Sequence, residues 1–467
     1  MQASLLNARL ARALSKDKKL LMETQVSIVT VSATFRRSKL FFSDLYADTQ
    51  TTIDDESSDV VFSRAHYSMA LAIAIQAWMK KKYEISFHRD RASHLVFPEA
   101  IPSEAWFVDP TNYVPSSQWK KIAFTEFLGK LIARTPILKT IKDEIDKRGR
   151  KELPIRSAII PPLLHLFAHV HRPIISLHNE TGNVLAGVGK KVLQVITDPY
   201  VRNEYLDYAH LSTMRFAVFD EKTKTDTIER AKLLNKKLDP DRVIVTGPPI
   251  DPRIVACASH KNPLGHTQRP LRICVTTGGL GTNKQEISQA LHELMDFLRM
   301  RPHPVQLVMY AGTHRDFTKM VIQIAHEEHI PIENHQNTDA KLRLLFSDHI
   351  VDANELLIKY AFPWADCFIT KPSGDMAYDA VASGASVLFL NSWGVWEDHV
   401  RDVFEQKEIG RVAELSEIKK QIEALLIPVD GESWFSSAMR RAQEIDPLFL
   451  RGAERILQEA RNWAEEK

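Results

Sequence analysis

The chain of 467 residues is poor in glycine. Its 17 glycines are about half of the roughly 7% found in average proteins. None occurs before Gly129, and eight of them lie between Gly278 and Gly410. Cysteine is scarcer still, and Cys257, Cys274 and Cys367 are too far apart to form a CxxC pair. This spacing excludes a disulfide scaffold and a zinc ribbon, and it is typical of a reducing compartment.

The sequence also lacks an excess of charge of one sign and a long apolar run. Lys and Arg number 61 against 59 Asp and Glu, so the net charge of +2 argues against a nucleic-acid partner. The most apolar window, 69–79, is far shorter than the roughly 20 residues that span a bilayer. The basic start has no apolar stretch followed by a cleavage site. We therefore expect a cytoplasmic protein without a transmembrane helix or a signal peptide.

The predicted secondary structure differs between segments of the first half of the chain. A β-branched run at 26–34 predicts a buried parallel strand. Residues from about 44 to 150 are predicted to form a helical insertion, within which 98–115 carries four prolines and is predicted as loop or turn. Four β-rich runs between 171 and 247 alternate with polar or helical stretches, which predicts an α/β unit.

The second half repeats that alternation after a proline-rich passage. Residues 251–270 have no sustained periodicity and are predicted as a linker. Strands are then predicted at 271–279, 305–312, 365–372 and 385–391, with helices between them. Residues 441–467 are predicted to contain a charged amphipathic helix. The expected fold class is α/β, with two Rossmann-like domains, 1–250 and 271–440, facing a cleft.

Two short turns in the second domain carry the small residues expected at a phosphate site. Gly278, Gly279 and Gly281 follow one predicted strand and precede a helix, and Ser373 and Gly374 do the same after another. Small residues there let backbone N–H groups and a helix N-terminus approach a phosphate. A glycine-rich turn that merely reverses the chain is the alternative. Two such turns in one sheet predict one shared ligand.

Acidic residues follow these turns. Asp379 lies about one helical turn after the second one, where it is a candidate acceptor for a ribose hydroxyl or an ordinary surface carboxylate. A third turn brings further polar residues to the same predicted edge: Gly394, Glu397, Asp398 and His399. Trp393 and Trp396 beside them are either packing residues or part of that site.

Together these motifs resemble the C-terminal half of glycosyltransferases of the GT-B fold. They are most similar to the monogalactosyldiacylglycerol synthases and the peptidoglycan N-acetylglucosaminyltransferases, the family 28 group. The likeness rests on the glycine turn at 278–281, on an acidic residue, Asp379, five positions before Gly384, and on EDHV at 397–400. In all it covers about 155–410, most specifically in the C-terminal half.

The resemblance implies a hexosyltransferase that moves a sugar from a nucleotide donor, in this family UDP, to a hydroxyl acceptor with inversion. It implies no cofactor and no obligatory metal. The residues that would bind the donor are Gly278, Gly279, Gly281, Val351, Ser373, Gly374, Asp379, Glu397, Asp398 and His399. Among these, Val351 belongs to the loop that would hold the uracil through backbone groups, and Asp379 replaces the usual Glu.

The first domain departs from the family pattern. The family has a glycine-rich loop ending in Gly-His after the first strand, and 26–34 is followed by neither residue. Arg36 and Arg37 stand there instead, as candidate phosphate contacts or as two surface arginines. Asp198 and His178 follow predicted strands and are candidate general bases, although a lone His at a strand end is more often structural.

The acceptor and the reaction stay open at this stage. Family members act on lipids, and a lysine-flanked helix near 124–132 would suit docking at the cytoplasmic membrane face, or would pack on its own domain. A nucleotide-sugar 2-epimerase shares the architecture but needs acid and base carboxylates close to the sugar. A non-catalytic nucleotide-sugar-binding protein would fit the absent Gly-His loop. A nucleotide sugar is the expected partner in all three cases.

Overall fold

The computed structural model describes most of the chain. The described residues are 2–34, 59–78, 84–85, 95–96, 104–115, 118, 121–122, 124–125, 154–263 and 269–466. Arg36, Arg37 and most of the predicted helix near 124–132 lie outside them.

The first half of the chain contains ten strands and five α-helices whose two ends both lie within the described ranges. Its strands are β1 (Val26–Val29), β2 (Ala33–Thr34), β3 (Val60–Val61), β4 (Glu84–Ile85), β5 (Leu95–Val96), β6 (Ala105–Val108), β7 (Ile174–Ser176), β8 (Val192–Val195), β9 (Met214–Val218) and β10 (Val243–Val245). Its helices are α1 (Gln2–Glu23), α2 (Arg64–Trp78), α3 (Pro154–Phe167), α4 (Asn179–Gly187) and α5 (Glu221–Leu233).

The second half contains six strands and nine helices within the described ranges. Its strands are β11 (Leu271–Thr276), β12 (Val305–Gly312), β13 (Leu342–Phe346), β14 (Cys367–Thr370), β15 (Ser386–Phe389) and β16 (Gly410–Val412). Its helices are α6 (Pro252–Cys257), α7 (Lys284–Arg299), α8 (Arg315–Glu327), α9 (Ile350–Leu356), α10 (Met376–Ala382), α11 (Val395–Gln406), α12 (Ile418–Leu426), α13 (Trp434–Gln443) and α14 (Gly452–Glu465).

The first domain is built on a parallel sheet with the strand order β10-β9-β8-β7-β1-β6. Every residue of β1, β7 and β8 is buried, as expected for strands covered by helices on both faces. The chain leaves β1 to one side to form β6 and returns to the other side as β7. The carboxyl ends of β1 and β7 therefore flank the point where the strand order reverses.

Strand β6 corrects the loop predicted at 98–115. Its residues, Ala-Trp-Phe-Val, are all buried and pair with β1 in parallel. Pro110 follows the strand instead of interrupting it, so the ladder keeps its hydrogen bonds. Because α2 packs on β1 and β6, this part of the predicted insertion belongs to the layers of the first domain.

The second domain has the strand order β13-β12-β11-β14-β15-β16, again all parallel. In chain order this is 3-2-1-4-5-6, which is the arrangement of dinucleotide-binding sheets and reverses between β11 and β14. The prediction of an α/β protein with two Rossmann-like domains is confirmed. Two of the six strands, β13 and β16, were not predicted.

The C-terminal helix returns to the first domain. Helix α14 packs against α2 and β1, and its Trp463 is buried. The guanidinium of Arg215 in β9 lies 4.5 Å from the centre of the Trp463 ring and donates to Glu459 at 2.7 Å. The last helix therefore packs on the sheet of the first domain.

Candidate functional site

The carboxyl edges of the two sheets meet at a close contact between glycines and backbone. A Cβ at Gly374, after β14, would lie 2.7 Å from Asp198 Oδ1 and 2.8 Å from the carbonyl oxygen of Thr197, after β8. A Cβ at Gly279, after β11, would lie 2.8 Å from the backbone nitrogen of Arg64 at the start of α2. Only glycine fits these two positions without a shift of the neighbouring backbone or side chains. The structure therefore brings together two predicted site residues, Asp198 and Gly374.

The two glycine-containing turns are closed by local hydrogen bonds. The N–H of Gly281 donates to the carbonyl of Gly278 at 2.9 Å. In the second turn, the N–H of Met376 donates to Ser373 Oγ at 3.2 Å, so this hydroxyl helps to begin α10. Both turns lie at the reversal between β11 and β14, where open α/β sheets bind their ligands.

A lysine that the sequence reasoning missed lies between these turns. Lys371 directly follows β14, and a Cβ at Gly278 would come within 2.9 Å of its Cε. Its Nζ donates to the buried carboxylate of Glu397, which also accepts the N–H of Trp393 at 2.7 Å. Burial alone would lower the pKa of Lys371, but the Glu397 carboxylate outweighs it and the pKa is raised. Lys371 is therefore a cation beneath the first glycine turn.

A second cation reaches the same edge from the first domain. Arg64 is buried, and its Nη1 lies 2.8 Å from Asp375 Oδ2. Its Nη2 donates to Asn354 Oδ1 at 3.2 Å and lies 3.4 Å from Asp379 Oδ2. Burial raises the pKa of Asp379 to about 7 despite the guanidinium. For Asp375 burial acts in the same direction, but the adjacent Arg64 charge wins and the pKa is lowered.

Asp59 makes a further contact between the domains. Its Oδ2 accepts the N–H of Ile350 at 2.8 Å, at the start of α9, and its own N–H donates to the carbonyl of Asp348 at 2.9 Å. Its Oδ1 lies 3.1 Å from His349 Nδ1. Val351, predicted in the base-binding loop, is fully buried in the same helix. Burial raises the pKa of Asp59.

His66 faces the cleft from the first turn of α2. Its Nδ1 lies 3.3 Å from the carbonyl oxygen of Val31, and its Nε2 lies 3.1 Å from Thr197 Oγ1. Because a carbonyl can only accept, Nδ1 carries the proton and Nε2 is the acceptor. Burial lowers the pKa of His66 to about 4, so the ring is neutral at physiological pH.

The sequence reasoning sought a histidine directly after β1 and missed His66. The structure reaches this residue after β3, at the start of the helix that follows β1 in the layers of the domain. The available signal was the dipeptide Ala-His just before the apolar window 69–79. His178, the predicted base, lies beside it, with the ring centres 5.2 Å apart. The Nδ1 of His178 accepts the N–H of Glu180 at 3.2 Å and caps α4.

The predicted residues of the third turn lie on different faces of α11. Glu397 contacts Lys371, as described above. Asp398 is half-exposed and lies 3.0 Å from Arg401 on the same helix. His399 is near α5 of the first domain, where its pKa is lowered by burial and then by Lys222. The structure thus brings only Glu397 of the three to the two glycine turns.

The two tryptophans lie beside Asp198. The rings of Trp393 and Trp396 pack edge to face with their centres 5.9 Å apart. The guanidinium of Arg202 lies 5.0 Å from the centre of the Trp396 ring and 3.5 Å from Asp198 Oδ2. Burial raises the pKa of Asp198, with the Arg202 charge opposing it.

Residues of both domains surround a small open space at this contact. Its volume is about 240 Å³ including space open to solvent, and it is lined by Val61, Arg64, Thr277, Gly278, Gly279, Tyr310, Gly312, Thr313, His314 and Ile350. Within the described ranges, no group of three or more His, Cys, Asp or Glu is placed to hold a metal ion. No helix in the part of the chain that the structure describes has the length and apolarity to cross a membrane.

Comparison with known proteins identifies the fold. No protein-family model and no curated protein matches the chain. UDP-GlcNAc 2-epimerase from Neisseria meningitidis, solved with UDP-GlcNAc bound, is 10% identical, with a TM-score of 0.50 over 93% of this chain and 99% of that one. A protein assigned as UDP-N-acetylglucosamine 2-epimerase from Listeria monocytogenes is 11% identical, with a TM-score of 0.50 over 93% and 95%.

MurG from Acinetobacter baumannii is also similar, at 12% identity and a TM-score of 0.40 over 66% of this chain and 78% of that one. Similarity at these levels of identity identifies only the fold, and the value for MurG is too low to support an argument. The chain has the two-domain GT-B architecture. The closer kinship to the family 28 group is not confirmed and stays a prediction.

Proposed function

We propose that the chain is a glycosyltransferase that binds a nucleotide sugar, with UDP as the nucleotide, in the cleft between its domains. The observation that carries this proposal is the convergence of two glycine turns on Lys371, beside the contact of Gly374 with Thr197, the partner of His66. Backbone N–H groups at a sheet edge and a fixed ammonium group are suited to a diphosphate. The Neisseria protein of the same fold was solved with UDP-GlcNAc, which supports a nucleotide sugar as the ligand.

In the proposed reaction His66 Nε2 accepts the proton of the acceptor hydroxyl. The acceptor oxygen forms a bond to the anomeric carbon of the sugar as the bond from that carbon to the diphosphate breaks. Lys371 and the turn backbone stabilise the negative charge that develops on the leaving diphosphate. The bound diphosphate would also raise the pKa of His66 from its value of about 4, which makes the imidazole a better base. Asp198 is the alternative base.

A nucleotide-sugar 2-epimerase is the second candidate. The pKa of Asp198 is raised first by burial, and the carboxylates of Glu397 and Asp375 raise it further. Asp198 and these two neighbouring carboxylates are candidates for the acid and the base that an epimerase needs. A protein that binds nucleotide sugars without turnover is the remaining alternative.

A melting-temperature panel of nucleotides and nucleotide sugars tests the shared part of these proposals, because a ligand of the native state raises the melting temperature. We expect stabilisation by UDP and a UDP-sugar, and little by uridine. No shift with any nucleotide would contradict all three candidates. A shift confined to nucleosides would contradict the role of Lys371.

Product analysis then separates the candidates. Incubation with the UDP-sugar that binds most tightly and with hydroxyl acceptors, lipids included, should release free UDP. An epimer of the donor without free UDP would identify an epimerase. Binding without any product would identify a binding protein. Turnover should persist in EDTA, and its loss would contradict a metal-free reaction.

We further propose that the acceptor is a lipid at a membrane surface. The basic stretch 120–156, with 11 Lys and Arg against 5 Asp and Glu, supports this because anionic lipid attracts such segments. Co-sedimentation with anionic liposomes at low salt is the test. An unbound protein would contradict the membrane part of the proposal and leave the transfer reaction open to soluble acceptors.

A further inference from the structure

We infer that residues 59–64, called here the 59–64 segment, compete with the nucleotide for the cleft and must be displaced when a nucleotide sugar binds. This inference rests on the proposed function, since the competition is for the same site. It concerns the regulation of that site by the chain itself.

The path of the 59–64 segment supports the inference. Its first residue, Asp59, is bonded to Asp348 and Ile350, which follow β13. The last residue, Arg64, reaches Asp375 and Asp379, which follow β14. Strands β12 and β11 lie between these two in the sheet. The segment therefore crosses the carboxyl edge of four adjacent strands, including the reversal between β11 and β14 where a ligand of this fold binds.

The segment also borders the open space between the domains. Val61 and Arg64 line it together with Gly278, Gly279 and Gly312, which follow or end β11 and β12. A Cβ at Gly279 would come within 2.8 Å of the Arg64 nitrogen, so no ligand atom fits between these two. A nucleotide sugar needs the room that the segment occupies.

The charges on the segment complement the edge that it covers. The Arg64 guanidinium supplies the adjacent positive charge for Asp375, and removing it would leave buried carboxylates without that cation. Asp59 accepts the N–H of Ile350, which a polar ligand could otherwise use. These hydrogen bonds stabilise the closed state, in which the 59–64 segment lies on the edge. A ligand binds only to the open molecules, in which the segment is displaced, so its apparent affinity falls in proportion to the fraction of open molecules.

Two substitutions in the full-length chain test the inference, with UDP binding measured by calorimetry. Asp59→Ala breaks the contact at α9, and Arg64→Gln breaks the contact at α10. Each should tighten UDP binding by roughly tenfold, because a hydrogen bond to a charged group is lost from the competing state. Asp296→Ala and Arg440→Gln remove surface ion pairs away from the cleft, with Lys419 and Glu432, and should bind UDP as the wild type does.

The outcomes separate the two proposals. Tighter binding in both variants, with unchanged controls, supports the inference. Equal affinity in the wild type and both variants overturns it and leaves the proposed function standing. Weaker binding in both variants also overturns it, since the segment would then help to hold the nucleotide. No UDP binding by any protein overturns both. The two substitutions break different contacts. If the melting curve shows that one variant does not fold, the other variant decides alone.

Discussion

Asp198 of the first domain and Gly374 of the second lie so close that a methyl group on Gly374 would come within 2.7 Å of Asp198 Oδ1. The two residues were predicted for different reasons, one as a base and the other as part of a phosphate turn. Their contact makes the cleft a product of both sheets. It also makes the second turn sensitive to any added atom.

Gly374→Ala is expected to destabilise the protein by roughly 1–3 kcal/mol, because the new methyl group meets the Thr197 carbonyl at 2.8 Å and the backbone must move. The urea midpoint measures this change. Gly278→Ala is the matched control, since its methyl group would meet a side-chain atom, Cε of Lys371, at 2.9 Å and no backbone atom so closely. An equal loss in the two variants would contradict the close approach of the domains.

Lys371→Met combined with Glu397→Gln is expected to weaken UDP binding by roughly 10- to 100-fold, the loss of charge-assisted hydrogen bonds to the diphosphate. The second substitution prevents an unpaired buried carboxylate, which by itself would destabilise the fold. Glu397→Gln alone is the reference, and the double variant should bind UDP more weakly than this single variant does. Binding of uridine should not respond to either change. Equal losses for uridine and UDP would show that Lys371 does not contact the diphosphate.

The affinity for a UDP-sugar should rise as the pH increases through about 7. Burial holds the pKa of Asp379 near this value, with Arg64 opposing and Asp375 and Asp251 adding to the rise. In the proposed complex a ribose hydroxyl donates to the ionised carboxylate of Asp379, so ligand binding should favour the form that prevails at higher pH. A UDP-sugar is the suitable probe because its diphosphate has no further proton to lose in this range. Titrations at pH 6 and pH 8 should differ by up to roughly tenfold, and Asp379→Asn should remove the difference.

His66 should make the wild type lose stability as the medium is acidified. The pKa of the His66 ring is lowered by burial from 6.5 to about 4, so the unfolded chain binds its proton first. The stability is present above pH 6.5 and is lost as the pH falls towards 4. Urea titrations at pH 6.5 and pH 4 measure this loss of unfolding free energy. It should be smaller in His66→Gln than in the wild type by roughly 1–3 kcal/mol. The exposed His260→Gln is the control, and the same loss in the His66 variant and the wild type would contradict the prediction.

Much of the fold could be predicted because buried parallel strands are continuous apolar runs. The runs that became β1, β7, β8 and β12 follow this rule. Strand β13 does not, because it carries Arg343, whose guanidinium is buried 4.2 Å from the centre of the Trp364 ring. A charged residue in a strand argues against burial until its partner is known. Strand β16 has three residues, two of them exposed, and leaves little pattern to detect.

The candidate site could be predicted only where its residues are consecutive. The glycine turns at 278–281 and 373–374 can be predicted because each lies between a predicted strand and a predicted helix. Lys371 directly follows β14, before the second of these turns, but in the sequence it cannot be told from an ordinary surface lysine. Arg64 and Asp375 are 311 positions apart, and no local pattern relates them.

The sequence by itself determined the class of fold and the edge of the second sheet where the two glycine turns lie, because strand, turn and helix signals are local. Only the tertiary structure decided what faces that edge. It placed His66 against Thr197, whose carbonyl faces Gly374, brought Asp198 against Gly374, and laid Asp59 and Arg64 across the cleft. These relationships depend on how two sheets and their connections pack. Packing joins residues hundreds of positions apart through burial and charge pairing, which local periodicity does not record.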